Sequence, residues 1–257
     1  MRRLLPDPAD GLTDDDLLTA YAPPTDGARH LRANFVTSAD GAGTLDGRSG
    51  GLSPPADKRI FGLLRDLADV VLVGAGTVRA ENYHYPARSP ERRARRRALG
   101  LGEVPALAVI SGRLDLDPGA PLFTEAAGMP PPIVVTTAGA PADRRAALGR
   151  VADLLVAGDD RVDLARTLDE LAAGGLRRVL CEGGPSLFGT LLAGGLLDEL
   201  SLTVSPLLAG PGAGRIVAGP PQPPTRLAVR HVLEEDGALF LRYAAAGATR
   251  PVADQAG

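Results

Sequence analysis

Three short segments hold the residue types that bind and transform small molecules. The first runs from Val70 to Glu81, where an apolar stretch gives way to Gly74-Ala75-Gly76-Thr77 and then to a helix-like segment. Such a junction presents free backbone N–H groups at the positive end of a helix, where a phosphate can sit. It is not the dinucleotide fingerprint Gly-x-Gly-x-x-Gly, because Arg79 holds the third glycine position and no acidic residue lies about twenty positions on to take a ribose hydroxyl. A plain strand-to-helix turn that needs glycine for its backbone angles explains the segment about equally well.

The second segment is Arg178 to Phe188, in which a strand ends in Cys181-Glu182-Gly183-Gly184-Pro185-Ser186-Leu187. Adjacent glycines let a ligand approach the main chain, Ser186 adds a hydroxyl at the helix start, and Glu182 stands at the carboxyl end of a strand, where open α/β sheets place ligands. Two such junctions in one sheet favour a pyrophosphate-bearing nucleotide. In the third segment the strand around Val36 stops at Thr37-Ser38-Ala39-Asp40-Gly41. Asp-Gly is an ordinary turn signal, so this segment gains weight only from the other two.

The remaining reactive residues carry less. Cys181 is the single cysteine and has no histidine near it in sequence, so it reads as buried and inert. His84 follows the Gly-Ala-Gly-Thr segment and is placed to touch a ligand, whereas His30 and His231 look incidental. The stretch Arg88–Arg97 holds six arginines, read as a solvated helix face in preference to a phosphate receptor. One cysteine and three histidines supply no metal centre, and no Gly-x-Ser-x-Gly, Walker or His-Glu-x-x-His motif is present.

The elements that must position these residues follow from periodicity. Buried strands are predicted at Ala33–Thr37, Val70–Val73, Ala106–Ile110, Ile133–Thr136, Ala152–Ala157 and Arg178–Cys181. Helices are predicted between them at Pro54–Leu67, Ala142–Leu148, Asp163–Ala172 and Ser186–Ala193, the first capped by Ser53, with a further N-terminal helix at Thr13–Tyr21. That alternation implies a mostly parallel sheet. Longer β-like runs at Glu199–Leu208, Leu227–Glu234 and Leu239–Ala244 imply antiparallel strands at the end of the chain, with an edge that must be covered.

A chain of 257 residues with 44% hydrophobic and 23% charged side chains is expected to fold as one domain, with residues 1–30 an extension, 31–244 the core and 245–257 a tail. Net charge −3 and 4% aromatics speak against nucleic acid, and the apolar runs are too short for a membrane span. The N-terminus lacks the apolar stretch of a signal peptide, so the cytoplasm is expected.

Taken together and in this order, the Thr-Ser-x-Asp-Gly strand end, the Gly-Ala-Gly-Thr-Val-Arg-Ala-Glu segment and the Glu-Gly-Gly-Pro-Ser-Leu turn resemble the riboflavin-pathway pyrimidine reductases. The resemblance runs from about Leu31 to Tyr243 and takes in the trailing Asp198–Gly210 segment. It implies a three-layer dihydrofolate reductase-like α/β fold, and NADPH as hydride donor to C1′ of a 5-amino-6-ribosylamino-pyrimidine 5′-phosphate, of the 5-amino-6-(5-phosphoribosylamino)uracil type. NADPH would lie along Val36, Ser38, Asp40, Gly74, Gly76, Thr77, Glu81, Ser111 and the Gly183–Leu187 turn. Substrate would meet Ser49, Arg65, His84, Arg88 and Glu182, with the two arginines on its phosphate and Glu182 the catalytic candidate. Homodimers are implied as well. Where bifunctional members carry Asp-x-Pro-x-Leu-x-x-Arg, this chain reads Asn82-Tyr83-His84-Tyr85-Pro86-Ala87-Arg88, so the pocket wall has changed while the arginine keeps its register. The zinc deaminase half of the bifunctional enzymes has no counterpart in the sequence, so deamination is expected from another protein. Rival readings are a same-fold reductase of dihydrofolate or another pteridine, and an NADP-binding sensor without turnover.

Overall fold

The computed structural model describes residues 1–85, 89–125 and 128–245. Its centre is a ten-stranded sheet: β1 (Arg2–Leu5), β2 (His30–Ser38), β3 (Val70–Gly74), β4 (Ala106–Ile110), β5 (Ile133–Thr136), β6 (Asp153–Val156), β7 (Arg178–Cys181), β8 (Glu199–Ser205), β9 (Leu227–Glu235) and β10 (Ala238–Ala245). The strand order is β1-β9-β10-β8-β2-β7-β3-β4-β5-β6. From β8 to β6 neighbours run parallel, and β8, β10, β9 and β1 pair antiparallel. This is the mostly parallel sheet with antiparallel C-terminal strands that the hydrophobic pattern implies.

The period of two explains why the central strands read as unbroken apolar runs. Val70 and Leu72 of β3 enter the core on one face, with Leu168, Leu171, Phe188 and Leu191. Those residues come from helices α7 (Leu164–Ala173) and α8 (Pro185–Ala193), which follow α5 (Pro121–Thr124) and α6 (Ala142–Leu148) in the chain. Val71 and Val73 point to the opposite face, with Leu107, Val109, Leu122 and Leu148. Leu180 of β7 likewise turns towards Ile60, Leu63, Leu64 and Leu67 of α2 (Pro55–Leu67), which α1 (Asp14–Ala20) covers with Leu17. Helices on both faces make three layers, so most residues of the central strands β3, β4 and β7 are buried.

Three expectations are corrected. Pro54, not Ser53, is the N-cap of α2, and Ser53 instead gives its hydroxyl to Asp57 one turn on. The arginine-rich stretch forms α4 (Pro90–Ala98) after the short α3 (Ala75–Ala80), and α4 is anchored to the protein as well as solvated. Arg92 and Arg95 both donate to Asp66 at 2.8 Å, and buried Arg96 donates to the carbonyls of Arg65 and Ala68 at 2.9 and 2.6 Å, capping the last turn of α2. The hairpin edge is covered from an unexpected place, because β1 pairs along β9 with Arg2 opposite Glu234. The hairpin itself turns on Asp236 and Gly237, both at positive φ, as a two-residue loop matched to strand twist requires.

Candidate active site

The carboxyl ends of β2, β3 and β7 converge with the start and exposed flank of α2 around a cleft enclosing about 1260 Å3, part of it open to solvent. Val36, Ser49, Arg65, Thr77, Glu81, Glu182, Gly184 and Pro185, all expected at a site from sequence, line this one cleft. Parallel strands place their open carboxyl ends together, which is why residues far apart in sequence meet here.

Glu182 leaves the end of β7 with its amide bonded to the Leu72 carbonyl at 3.0 Å. Its carboxylate accepts from Arg65 Nε on Oε1 and from Nη2 on Oε2, both at 2.7 Å, and Tyr83 donates its hydroxyl to Oε2. Arg65 also donates to the Tyr83 oxygen at 2.8 Å and lies 4.1 Å over the ring of Phe61, one turn earlier on α2. Burial opposes the charge on Arg65, but Glu182 and Tyr83 outweigh it and hold the guanidinium more firmly protonated than usual. Burial, and then the carboxylate beside it, push the Tyr83 hydroxyl well above its ordinary range, so Tyr83 remains a donor. The fork of Arg65 is thus turned onto Glu182.

Two further carboxyls line the cleft. Glu81 accepts from the amide and hydroxyl of Ser49 at 3.2 and 3.3 Å, which pins the 43–52 loop to the end of α3. Asp57, in the first turn of α2, accepts from Thr203 of β8 at 2.6 Å and from Ser53.

Opposite them the two glycine junctions interlock. The Gly74 amide donates to the Gly183 carbonyl at 2.8 Å. Gly184, the N-cap of α8, has no side-chain cap, and a Cβ on it would stand 2.6 Å from Thr77 Oγ1. Glycine at this position lets Thr77 pack against the start of α8, so the two junctions form one close-packed glycine cradle beside its first amides.

Not every expected residue reaches the cleft. Asp40 accepts from Ser38 and from the amides of Ala209 and Gly210 at 3.1 and 2.9 Å, which fastens the loop after β8. Those bonds, the Ser38 hydroxyl foremost, hold its carboxyl below the usual range. Ser111 is buried at the end of β4, its amide bonded to Val135. His84 is half exposed and lies 2.8 Å from Glu125, so the cleft wall at this point is Tyr83. Arg88 lies outside the described residues. Cys181 is buried, and burial pushes its thiol up to about 12, which leaves it no nucleophile. Among the described residues no group of three metal-binding side chains converges, and no helix is long and apolar enough to cross a membrane.

The family model of the RibD C-terminal domain matches residues 29–238. The chain belongs to that family. Its relatives include the 2,5-diamino-6-ribosylamino-4(3H)-pyrimidinone 5′-phosphate reductase of Archaeoglobus fulgidus, 30% identical over 182 residues, which are 70% of this chain and 82% of that one. The protein of the same name from Methanothermobacter thermautotrophicus is 31% identical over 173 residues, 65% of this chain and 76% of that one. Among solved structures, a pyrimidine reductase-like protein from Corynebacterium diphtheriae superposes with a TM-score of 0.81 at 28% identity, covering 91% of this chain and 99% of its own.

Within this RibD C-terminal domain, sequence reading misses Asp57, Tyr83 and Phe61. Phe61 and Arg65 carried a usable signal, an aromatic and a cation spaced i, i+4 on a helix. Tyr83 had none beyond its place next to His84. Asp57 resembled any acidic residue in a first helical turn, and the partner that marks it out lies on β8.

Proposed function

We propose that this RibD C-terminal domain is a cytoplasmic, homodimeric, NADPH-dependent reductase acting on C1′ of the ring-opened sugar of a ribosylamino-pyrimidine 5′-phosphate, giving the ribityl chain. The observation that carries this reading is one cleft with the glycine cradle at the start of α8 on one wall and the Glu182–Arg65–Tyr83 cluster on the other. The names of the archaeal relatives favour the diamino form of the pyrimidine over its deaminated form.

The residues present fit the cofactor. Gly184 and Pro185 line the cleft beside Thr77, where the uncapped amides of α8 would complement the charge of a pyrophosphate. When bound, NADPH supplies the hydride. Glu182, held rigid from two sides, has a lone pair left on Oε1 to accept from an amino group of the pyrimidine. Phe35, Phe61 and Val36 make the floor apolar, which strengthens those hydrogen bonds by excluding water. Since Arg65 is engaged, the 5′-phosphate falls to the exposed cations that line the same cleft, Lys58 and Arg215. Exposed Leu227 and Val229, two apart on β9, offer an apolar face to a second copy.

A pteridine-type substrate is the second reading, favoured by one observation: such a substrate needs a buried acid, and Asp57 is one. NADPH oxidation with each pyrimidine phosphate and with dihydrofolate in parallel separates the two.

A further inference from the structure

Asp57 is a carboxyl of the cleft to which the proposed chemistry gives no role. It is 5% exposed, yet it lines the cleft beside Asn34, Ser53 and Lys58. Glu182 is tied to a guanidinium and a phenol, and Glu81 to the loop around Ser49. Asp57 instead meets two hydroxyls, Thr203 on Oδ1 and Ser53 on Oδ2, and among the described residues no ion pair joins it. A hydroxyl can rotate from donor to acceptor, so this pair holds the carboxyl in place whether or not it carries a proton. A guanidinium cannot do that for Glu182.

Reduction of an imine needs a proton as well as a hydride. As the C1′–H bond forms, the C1′=N π bond breaks and its electron pair moves to nitrogen, which must take up a proton. We infer that Asp57 is the general acid of this cleft: its carboxyl O–H breaks to form the new N–H bond, with Ser53 and Thr203 aiming it, and the carboxylate left behind regains its proton from water in the cleft. This rests on the reductase reading above.

The electrostatics agree with the geometry. Burial pushes the Asp57 carboxyl above the usual range, and the hydroxyls of Ser53 and Thr203 and the charge of Lys58 pull it back only in part. The other charged groups on the cleft are the Arg65–Glu182 pair, Glu81, and Arg215 on the opposite loop, so Lys58 is the cation nearest to Asp57 in sequence. A general acid works best when its pKa is drawn towards the working pH, and burial moves the Asp57 carboxyl in that direction.

The test compares wild type, Asp57→Asn, Asp57→Glu and Thr203→Val in the NADPH-dependent reduction of the pyrimidine phosphate from acid to alkaline pH. NADPH affinity by fluorescence and the protein carboxyl C=O stretch by infrared titration are read alongside. Wild-type kcat should fall as pH rises past the Asp57 titration. Asp57→Asn should lose about 100-fold or more in kcat, keep its NADPH affinity, lose the pH dependence and lack one carboxyl band. Asp57→Glu should recover part of the rate. An Asp57→Asn protein within about threefold of wild type, with the same pH profile, overturns the inference. If Asp57→Asn does not fold, Thr203→Val decides: a displaced pH profile and carboxyl band support the inference, and an unmoved profile overturns it. Wild type inert on every pyrimidine phosphate overturns the reductase reading and this inference with it, whereas an active wild type with an active Asp57→Asn removes Asp57 alone.

Discussion

Arg65 and Glu182, 117 residues apart, face each other across the floor of the cleft in a two-bond ion pair, Nε on Oε1 and Nη2 on Oε2, each at 2.7 Å. One comes from the last turns of α2 and the other from the end of β7. The pair therefore fixes a helix to the sheet at the point where both proposed ligands meet.

Removing the arginine leaves a carboxylate that is only 4% exposed without its counter-charge. Arg65→Ala is expected to lower stability by about 3–5 kcal/mol, read as a lower urea midpoint at unchanged slope. Arg65→Lys restores a charge but not the planar fork, so it should recover part of the stability and little of the turnover. An unmoved midpoint in Arg65→Ala would show that the pair contributes nothing to the fold.

The glycine cradle makes a separate prediction about cofactor binding. Gly184 has φ −76°, which alanine tolerates, so Gly184→Ala acts through the 2.6 Å approach of the new Cβ to Thr77 and not through backbone strain. The variant should fold normally and bind NADPH at least about tenfold more weakly, a loss of about 1.4 kcal/mol, measured by titrating cofactor fluorescence. Normal affinity would place the pyrophosphate elsewhere.

Acid sensitivity should come first from a histidine far from the cleft. His231 is buried, its ring edge-on to Tyr21, and burial with the nearby charge of Arg242 and Arg32 pushes its pKa down to about 4. Its folded pKa lies below its ordinary 6.5, so the unfolded chain takes up the proton first as pH falls. Stability is full above about 6.5 and drops by on the order of 3 kcal/mol as pH passes down to about 4. Glu199, which Arg32 and Arg242 hold far below the carboxylate range, adds its own loss only at lower pH. Chemical denaturation from neutral to mildly acid pH should therefore show a slope that His231→Gln abolishes. A slope that survives the substitution would assign the acid sensitivity to another group.

The proposed association would use the outer face of β9, where Leu227 and Val229 are exposed. Light scattering at micromolar concentration should give twice the mass of the chain, and Leu227→Asp with Val229→Asp should give one chain's mass with an intact fold. A monomeric wild type would remove the dimer from the account.

The sheet was legible in the sequence because buried parallel strands announce themselves locally, as Val70–Val73 and Arg178–Cys181 do. Glu182 was legible too, since an acid followed by two glycines at a strand end is a local pattern. What escaped depends on distant partners. Arg2–Leu5 is half arginine and becomes a strand only because β9 offers it an open edge. Arg96 looks like its neighbours in a charged run, and the carbonyls that bury it belong to α2. Asp57 owes its character to Thr203, 146 positions away. The Ser53 cap failed for a related reason: its hydroxyl donates to the Asp57 carboxyl and does not accept from the amides of the first turn.

The central claim, hydride transfer to a phosphorylated ribosylamino-pyrimidine in this cleft, is tested most directly by following the loss of NADPH absorbance with the diamino-pyrimidinone phosphate as substrate and identifying the product by mass. Turnover to a product two hydrogens heavier, abolished in Glu182→Ala, is the result predicted. Oxidation of NADPH by dihydrofolate alone, or binding of the pyrimidine phosphate without turnover, would contradict it.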